Sequence, residues 1–326
     1  MSDEPLARPP RSSFIPHRPS FGTTLLIPLE EQMNPKKKAT VPAIRAMKSS
    51  RRIGMLTAYD YPSARVADAA GADILLVGDS LGMVILGYPD TLSVTVEDML
   101  HHTRAVVRGA KTSLIVGDMP YLSYHVSVEE SVRNAGLFIQ AGAHAVKVEG
   151  AKPSRLKTIE AILDAEIPVM GHIGLTPQSV NALGGFKLQG KNAEDARRLL
   201  DEAIALERAG CFAVVLECVP TELAALITER ITIPTIGIGA GPSCDGQVLV
   251  FHDVLGLYDG HTPKFVRKYA DLATDMQVAL EHYLDDVRSG AFPDPEKESF
   301  HMSSDEELRR LYATTEDGGK VVEMPR

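Results

Sequence analysis

Four apolar runs in this 326-residue chain end in an acid. ILLVGD closes on Asp79, SLIVGD on Asp118, AVKVE on Glu149 and AVVLE on Glu217. A single such acid is more often a helix cap than a ligand, because a carboxylate at a helix start meets unpaired N–H groups. Four repeats ask for a common cause. If the runs are strands of one parallel sheet, Asp79, Asp118 and Glu149 occupy the last positions of neighbours about 4.8 Å apart, and their carboxylates converge. Converging carboxylates repel one another unless something positive sits among them. A hard divalent cation such as Mg2+ takes oxygen ligands, usually one or two carboxylates, with water and substrate filling the rest. Asp79 and Asp118 are then direct metal ligands, and Glu149 binds directly or through water.

Lys147 lies two residues before Glu149, so a strand turns both side chains to the same side. A lysine inside a sheet needs an anionic partner. The carboxylates or an anionic substrate would serve; a purely structural salt bridge is the plainer alternative. Glu217 ends the sixth run, across the mouth from the cluster, where a carboxylate is free to act as a base. His172, in GHIGLTPQS, ends the fifth run and is equally a loop anchor or a chemical group. GIGAGPSCDGQ (237–247) fits neither the P-loop nor GxGxxG, and reads as a tight loop at the mouth with weak support for anion binding.

The elements that must hold these residues repeat regularly. Strand-like runs fall at 53–58, 74–78, 113–117, 145–148, 167–173, 213–216, 233–238 and 248–252, the last being the weakest. They are continuously apolar, as a parallel sheet covered by helices on its outer face requires. Helical stretches lie between most of them. In 127–142, Ser127 can cap, Glu129 and Glu130 suit the start and Gly142 the stop; in 192–210, Asn192 and Gly210 play the same parts. Eight strand–helix units predict a (β/α)8 barrel, with a doubly wound open sheet as the alternative. Barrel strands open their C-terminal ends onto one face, where active sites lie. Residues 264–290 read as a long final helix or pair, and 303–313 as one capped helix outside the core.

Composition excludes several classes. A net charge of −9 disfavours a nucleic-acid protein. Residues 1–50 carry eight basic and four acidic residues, a net of +4 against −13 for the remainder. Cys211, Cys218 and Cys244 suit buried thiols in a reducing cytoplasm rather than a disulfide framework or a zinc site. No apolar stretch reaches the length of a membrane span. Residues 1–38 read as a basic, proline-rich, disordered arm. Arg8, Arg11 and Arg18 suggest a transit peptide, but Asp3, Glu4 and six prolines by residue 28 count against one. Met33, opening MNPKKKATVPAIRAMK, is a candidate start of translation.

TAYDYPSARVADAAGADILLVGDSLGM, HHTRAVVRGA, GDMPYLSY, VKVEG, GHIGLTPQSVNALGGFKLQG, LECVP, IGIGAG with DGQVLV, GHTPKFVRKY and ESFH follow one another in order. Together they resemble the ketopantoate hydroxymethyltransferase family over about residues 40–301. The resemblance implies a (β/α)8 TIM barrel of the phosphoenolpyruvate/pyruvate kind that uses Mg2+, with methylene-tetrahydrofolate as co-substrate. It implies metal ligation by Asp79, Asp118 and Glu149, substrate contacts from Asp79, Ser80, Asp118 and Lys147, and a proton-accepting Glu217; His172, from its own place at the mouth, is a candidate supporting residue. It also implies a large homo-oligomer, often a decamer, acting on a small 2-oxo acid and a folate; the expected location, from the free thiols, is cytoplasmic. The expected organisation is an arm at 1–38, a catalytic domain at 39–301 and a polar tail at 302–326. A lyase or mutase acting on pyruvate-like enolates, and a non-catalytic oxo-acid binding protein on the same barrel, are the rival readings.

Overall fold

The computed structural model describes residues 37–258, 260 and 262–313; the expectations for the N-terminal arm, including a start at Met33, and for the end of the tail lie outside these residues. Eight parallel strands close into a barrel in sequence order. They are β1 Ile53–Thr57, β2 Ile74–Val77, β3 Leu114–Asp118, β4 Ala145–Glu149, β5 Val169–Gly174, β6 Ala213–Glu217, β7 Thr235–Ile238 and β8 Gly246–Leu249. The helices are α1 Val41–Arg45, α2 Tyr61–Ala69, α3 Leu81–Val84, α4 Val96–Gly109, α5 Val128–Gln140 and α6 Pro153–Asp164, followed by α7 Val180–Leu183, α8 Ala193–Ala209, α9 Thr221–Arg230, α10 Phe251–Leu255, α11 Leu272–Ser289 and α12 Asp305–Ala313. The barrel is the predicted one, and no described helix is long and apolar enough to cross a membrane.

The continuous apolar runs are two alternating faces written into one strand. In β2, Ile74 and Leu76 fill the barrel interior, whereas Leu75 and Val77 join the layer under the helices. The same period of two runs through β3, where Leu114 and Val116 point in and Ile115 points out. Two glycines let helices press against the sheet beside the mouth. A Cβ on Gly117 would lie 2.4 Å from Phe138 of α5, and one on Gly171 would lie 2.7 Å from Leu206 of α8. The capping expectations hold: Ser127 accepts from the N–H of Glu130, and Asn192 from that of Asp195. Gly210, at φ 103°, ends α8 in a conformation that only glycine adopts freely. Below the barrel, α1 seats the buried Ile44, and Lys48 just beyond it pairs with Asp245 at 2.8 Å.

Two expectations need correction. The eighth strand is Gly246–Leu249, not 248–252, because its pairing with β1 starts at Ile53 opposite Gly246. That contact leaves no room for a side chain, since a Cβ on Gly246 would meet the Ile53 carbonyl at 2.7 Å. The remaining apolar residues from Phe251 turn into α10. Of 264–290, only Leu272–Ser289 is helical.

Asp68, near the end of α2, fastens that helix to the start of β3. It accepts the backbone N–H groups of Lys111, Thr112 and Ser113 and the hydroxyls of Thr112 and Ser113. Burial pushes its carboxyl up, but the Ser113 hydroxyl and the three N–H groups outweigh it and pull it down to about 2. A depressed folded-state pKa stabilises the protein above the unfolded value, and that stabilisation is lost as pH falls through the folded one. Discounted for solvent screening at this half-exposed site, Asp68→Asn costs about 1 kcal/mol at neutral pH. In urea unfolding from pH 7 downward, the gap to wild type narrows below about pH 4; a gap independent of pH would overturn this account.

Candidate active site

The inward-facing period of the strands carries straight into the mouth. Asp118 ends β3, Lys147 and Glu149 close β4, His172 lies two residues from the end of β5, and Glu217 ends β6. Each continues the interior face of its strand above Val116, Ala145, Met170 and Val215. Register sets them side by side, with Asp118 opposite Lys147 and Glu149 opposite His172. Lys147 Nζ lies 2.7 Å from Asp118 Oδ1 and 3.7 Å from Glu149 Oε1. His172 bridges the two glutamates, with Nδ1 3.4 Å from Glu149 Oε1 and Nε2 3.3 Å from Glu217 Oε2. Asp118, Lys147, Glu149 and His172 are buried; Glu217 keeps 17% of its side chain open.

Asp79 arrives differently. It is not the last residue of β2 but lies two beyond it, where the chain leaves the sheet at Gly78. By strand parity Asp79 would point outward like Leu75 and Val77; the turn brings it back to the mouth. Its N–H donates to Asp118 Oδ2 at 3.2 Å, and its Oδ2 accepts from Gln178 Nε2 at 2.9 Å. Ser80 follows in the same turn, 2.9 Å from the hydroxyl of the buried Tyr59. Glu217, on the strand opposite β2, lies across the mouth from Asp79 as expected, but only β5 separates it from β4, and His172 of β5 joins it to Glu149.

Burial, then Asp118 and Glu149, hold the Asp79 carboxyl well above the usual range. Burial also raises Asp118, against the opposing pull of Lys147. Burial and Lys147 press His172 toward neutrality, but its contacts with Glu149 and Glu217 prevail and lift it to about 9. Burial disfavours ionisation of Glu149 too, but contacts with His172 and Lys147 and the N–H of Gln178 bring its carboxyl down.

Charge therefore balances around Glu149 and falls short around Asp79 and Asp118. Asp118 Oδ1, although beside Lys147, lacks an aligned hydrogen bond, as do Glu149 Oε1 and His172 Nε2. Two buried carboxylates with hard oxygen donors and a deficit of positive charge suit a divalent cation that takes one or two carboxylates. A ready-made set of three or more His, Cys, Asp or Glu ligands does not occur among the described residues. Glu149 already has the Gln178 N–H, His172 and Lys147 as neighbours.

Spacing along the sequence does not reveal Gln178, Tyr124, Arg155 or Tyr59. Gln178 lies in the 3-10 turn Pro177–Ser179 after β5, and Tyr124 in the loop after β3. Arg155 stacks over the Tyr124 ring at 4.1 Å and donates from Nε to the Glu149 carbonyl. Both Gln178 and Tyr124 stand inside quoted motifs, GHIGLTPQS and GDMPYLSY, but only the fold shows what they touch.

The ketopantoate hydroxymethyltransferase family model matches residues 38–295. A 3-methyl-2-oxobutanoate hydroxymethyltransferase from Syntrophomonas wolfei subsp. wolfei is 56% identical over 277 residues, covering 84% of this chain and 99% of the relative. One from Enterococcus faecalis is 59% identical over 264 residues, covering 81% and 95%. Among solved structures, 2,3-dimethylmalate lyase, a PEP mutase/isocitrate lyase superfamily member, superposes with a TM-score of 0.53 at 16% identity, over 88% of this chain and 99% of that one. Phosphonopyruvate hydrolase gives 0.53 at 14% identity, over 85% and 99%. The distant structures share the barrel alone. The near relatives share over half their residues along almost their whole length, and with the family model they place this chain among the transferases of the ketopantoate hydroxymethyltransferase family.

Proposed function

We propose that this chain transfers a hydroxymethyl group from methylene-tetrahydrofolate to 3-methyl-2-oxobutanoate, giving ketopantoate. The observation that carries this reading is the division of the mouth into two parts. A charge-deficient pair, Asp79 and Asp118, lies beside a buried lysine, and a partly open carboxylate, Glu217, is held nearby by His172. Asp79 and Asp118 would hold Mg2+, with Glu149 binding it directly or through water. Bound there, the ion would supply Lewis acidity to the carboxylate and keto oxygens of the oxo acid.

The chain's own groups do the rest. Lys147 neutralises negative charge on the substrate oxygens, and Ser80, held by Tyr59, orients the substrate carboxylate. Glu217 takes the proton from the carbon beside the ketone, and the electron pair of that C–H bond forms the new C–C bond to the folate's one-carbon unit as its bond to one folate nitrogen breaks; water supplies the hydroxyl oxygen as the bond to the second nitrogen breaks, and the nitrogens take up protons as tetrahydrofolate leaves. His172 fixes the orientation of Glu217. The same reading makes residues 39–301 the catalytic domain between an arm at 1–38 and a tail at 302–326, in a cytoplasmic homo-oligomer that the family resemblance makes a decamer.

The test is proton NMR of 3-methyl-2-oxobutanoate in deuterated buffer with this protein, with and without Mg2+ and tetrahydrofolate. The expected result is metal-dependent loss of the signal beside the ketone, and ketopantoate once formaldehyde and tetrahydrofolate are both present. An unchanged signal with metal and folate present would overturn the reading.

A further inference from the structure

The buried polar group that touches the most parts of this mouth is an uncharged one. Gln178 is 5% exposed and uses both amide N–H donors and its amide oxygen. Its Nε2 donates to Asp79 Oδ2 at 2.9 Å and to the Met119 carbonyl at 2.9 Å. Its Oε1 accepts from the Tyr124 hydroxyl at 2.5 Å. Its backbone N–H donates to Glu149 Oε2 at 3.2 Å. The Met119 carbonyl can only accept, so the amide nitrogen must face it, and the orientation of the side chain is fixed by its partners. One residue from the loop after β5 thus ties the acid after β2 to the acid ending β4 and to the chain after β3.

The Asp79 carboxylate needs such a guide more than its neighbours do. Asp118, Glu149 and Glu217 are aimed by strand geometry, whereas Asp79 stands two residues past its strand in a turn. The charges of Asp118 and Glu149 oppose its own more than Lys147 offsets them. A neutral amide donor restrains one oxygen without cancelling the charge that a cation needs, and it leaves the other oxygen free to coordinate. A lysine or arginine at this position would restrain Asp79 equally but would compete with the ion. We infer that Gln178, oriented by Tyr124, is a positioning residue that aims Asp79 into the metal site. The inference rests on the proposal that Asp79 and Asp118 hold a divalent cation.

The test is titration of the metal-free protein with MnCl2 alone, with free Mn2+ followed by its electron paramagnetic resonance signal. Gln178→Met keeps the length of the side chain and removes both donors. It is expected to raise the Mn2+ Kd by about 10- to 100-fold, the usual cost of losing a partner of a metal ligand. It also shrinks the rise in melting temperature that Mn2+ produces. A glutamine with a merely structural part lowers the metal-free melting temperature and leaves the Kd alone. Tyr124→Phe, which removes only the group that orients the amide, shifts the Kd in the same direction by a smaller factor. It carries the test if Gln178→Met does not fold. A Kd within about twofold of wild type in the folded variants overturns the inference and leaves the metal reading intact. No Mn2+ binding by the wild-type chain overturns both.

Discussion

Glu217→Gln lowers turnover by about 10²- to 10⁴-fold, the usual contribution of a positioned general base. It leaves the Kd of Mn2+ and of 3-methyl-2-oxobutanoate within about threefold of wild type. The separation follows from the geometry. Glu217 reaches the other acids only through His172, and of the buried constellation it alone keeps an appreciable part of its side chain open to the mouth. The glutamine keeps the shape and can still accept from His172, but it cannot take a proton. Exchange of the substrate proton in deuterated buffer checks this directly. Rapid residual exchange in the variant would remove Glu217 from the role of base. A large loss of oxo-acid binding would mean instead that it holds the substrate.

The barrel itself is legible in the sequence because both faces of each strand are apolar, and a strand covered on both sides writes a continuous run. The sites on strands are legible for the same reason: once a run ends in Asp118, Glu149 or Glu217, the period of two fixes where the side chain points. What cannot be read is whatever lies beyond the last ladder bond. Asp79 counts as a strand end in the string ILLVGD, but β2 stops at Val77, and the turn at Gly78 reverses the face on which the acid falls. The adjacency of Glu217 to the acid cluster depends on His172, whose two ring nitrogens face neighbours on either side across the sheet. The order of the strands implies that adjacency, but no spacing along the chain encodes it. Gln178 is harder still, because its three side-chain partners come from 99, 59 and 54 residues away. The eighth strand is misplaced by two residues because the contact that sets its start is a glycine pressed against Ile53, whereas an apolar pattern looks for side chains.

Lys147→Met is expected to destabilise the metal-free protein by about 3–5 kcal/mol near neutral pH, the usual cost of leaving buried charge unpaired. The methionine fills most of the space of the lysine stem, so the loss is electrostatic rather than a cavity effect. Burial alone would favour a neutral lysine, but Asp118, Glu149 and Asp79 together hold the ammonium charged. Without it, three buried carboxylates face only His172, and their folded-state pKa values rise above the unfolded range of about 4. A raised carboxyl pKa takes stability away as pH climbs from the unfolded value to the folded one, so the deficit is largest near neutral pH and shrinks toward pH 5. A divalent cation narrows the deficit as far as the variant, freed of a competing ammonium, binds it more tightly than wild type. At saturating metal a tenfold tighter Kd returns about 1.4 kcal/mol of the difference. Urea unfolding of both proteins at pH 5 and pH 7.5, in chelator and in Mg2+, separates the contributions. A deficit that ignores both pH and metal would mean that Lys147 is packed for its stem. A deficit that closes with either one identifies the lysine as the resident counter-charge of a site built to receive a cation and an anionic substrate together.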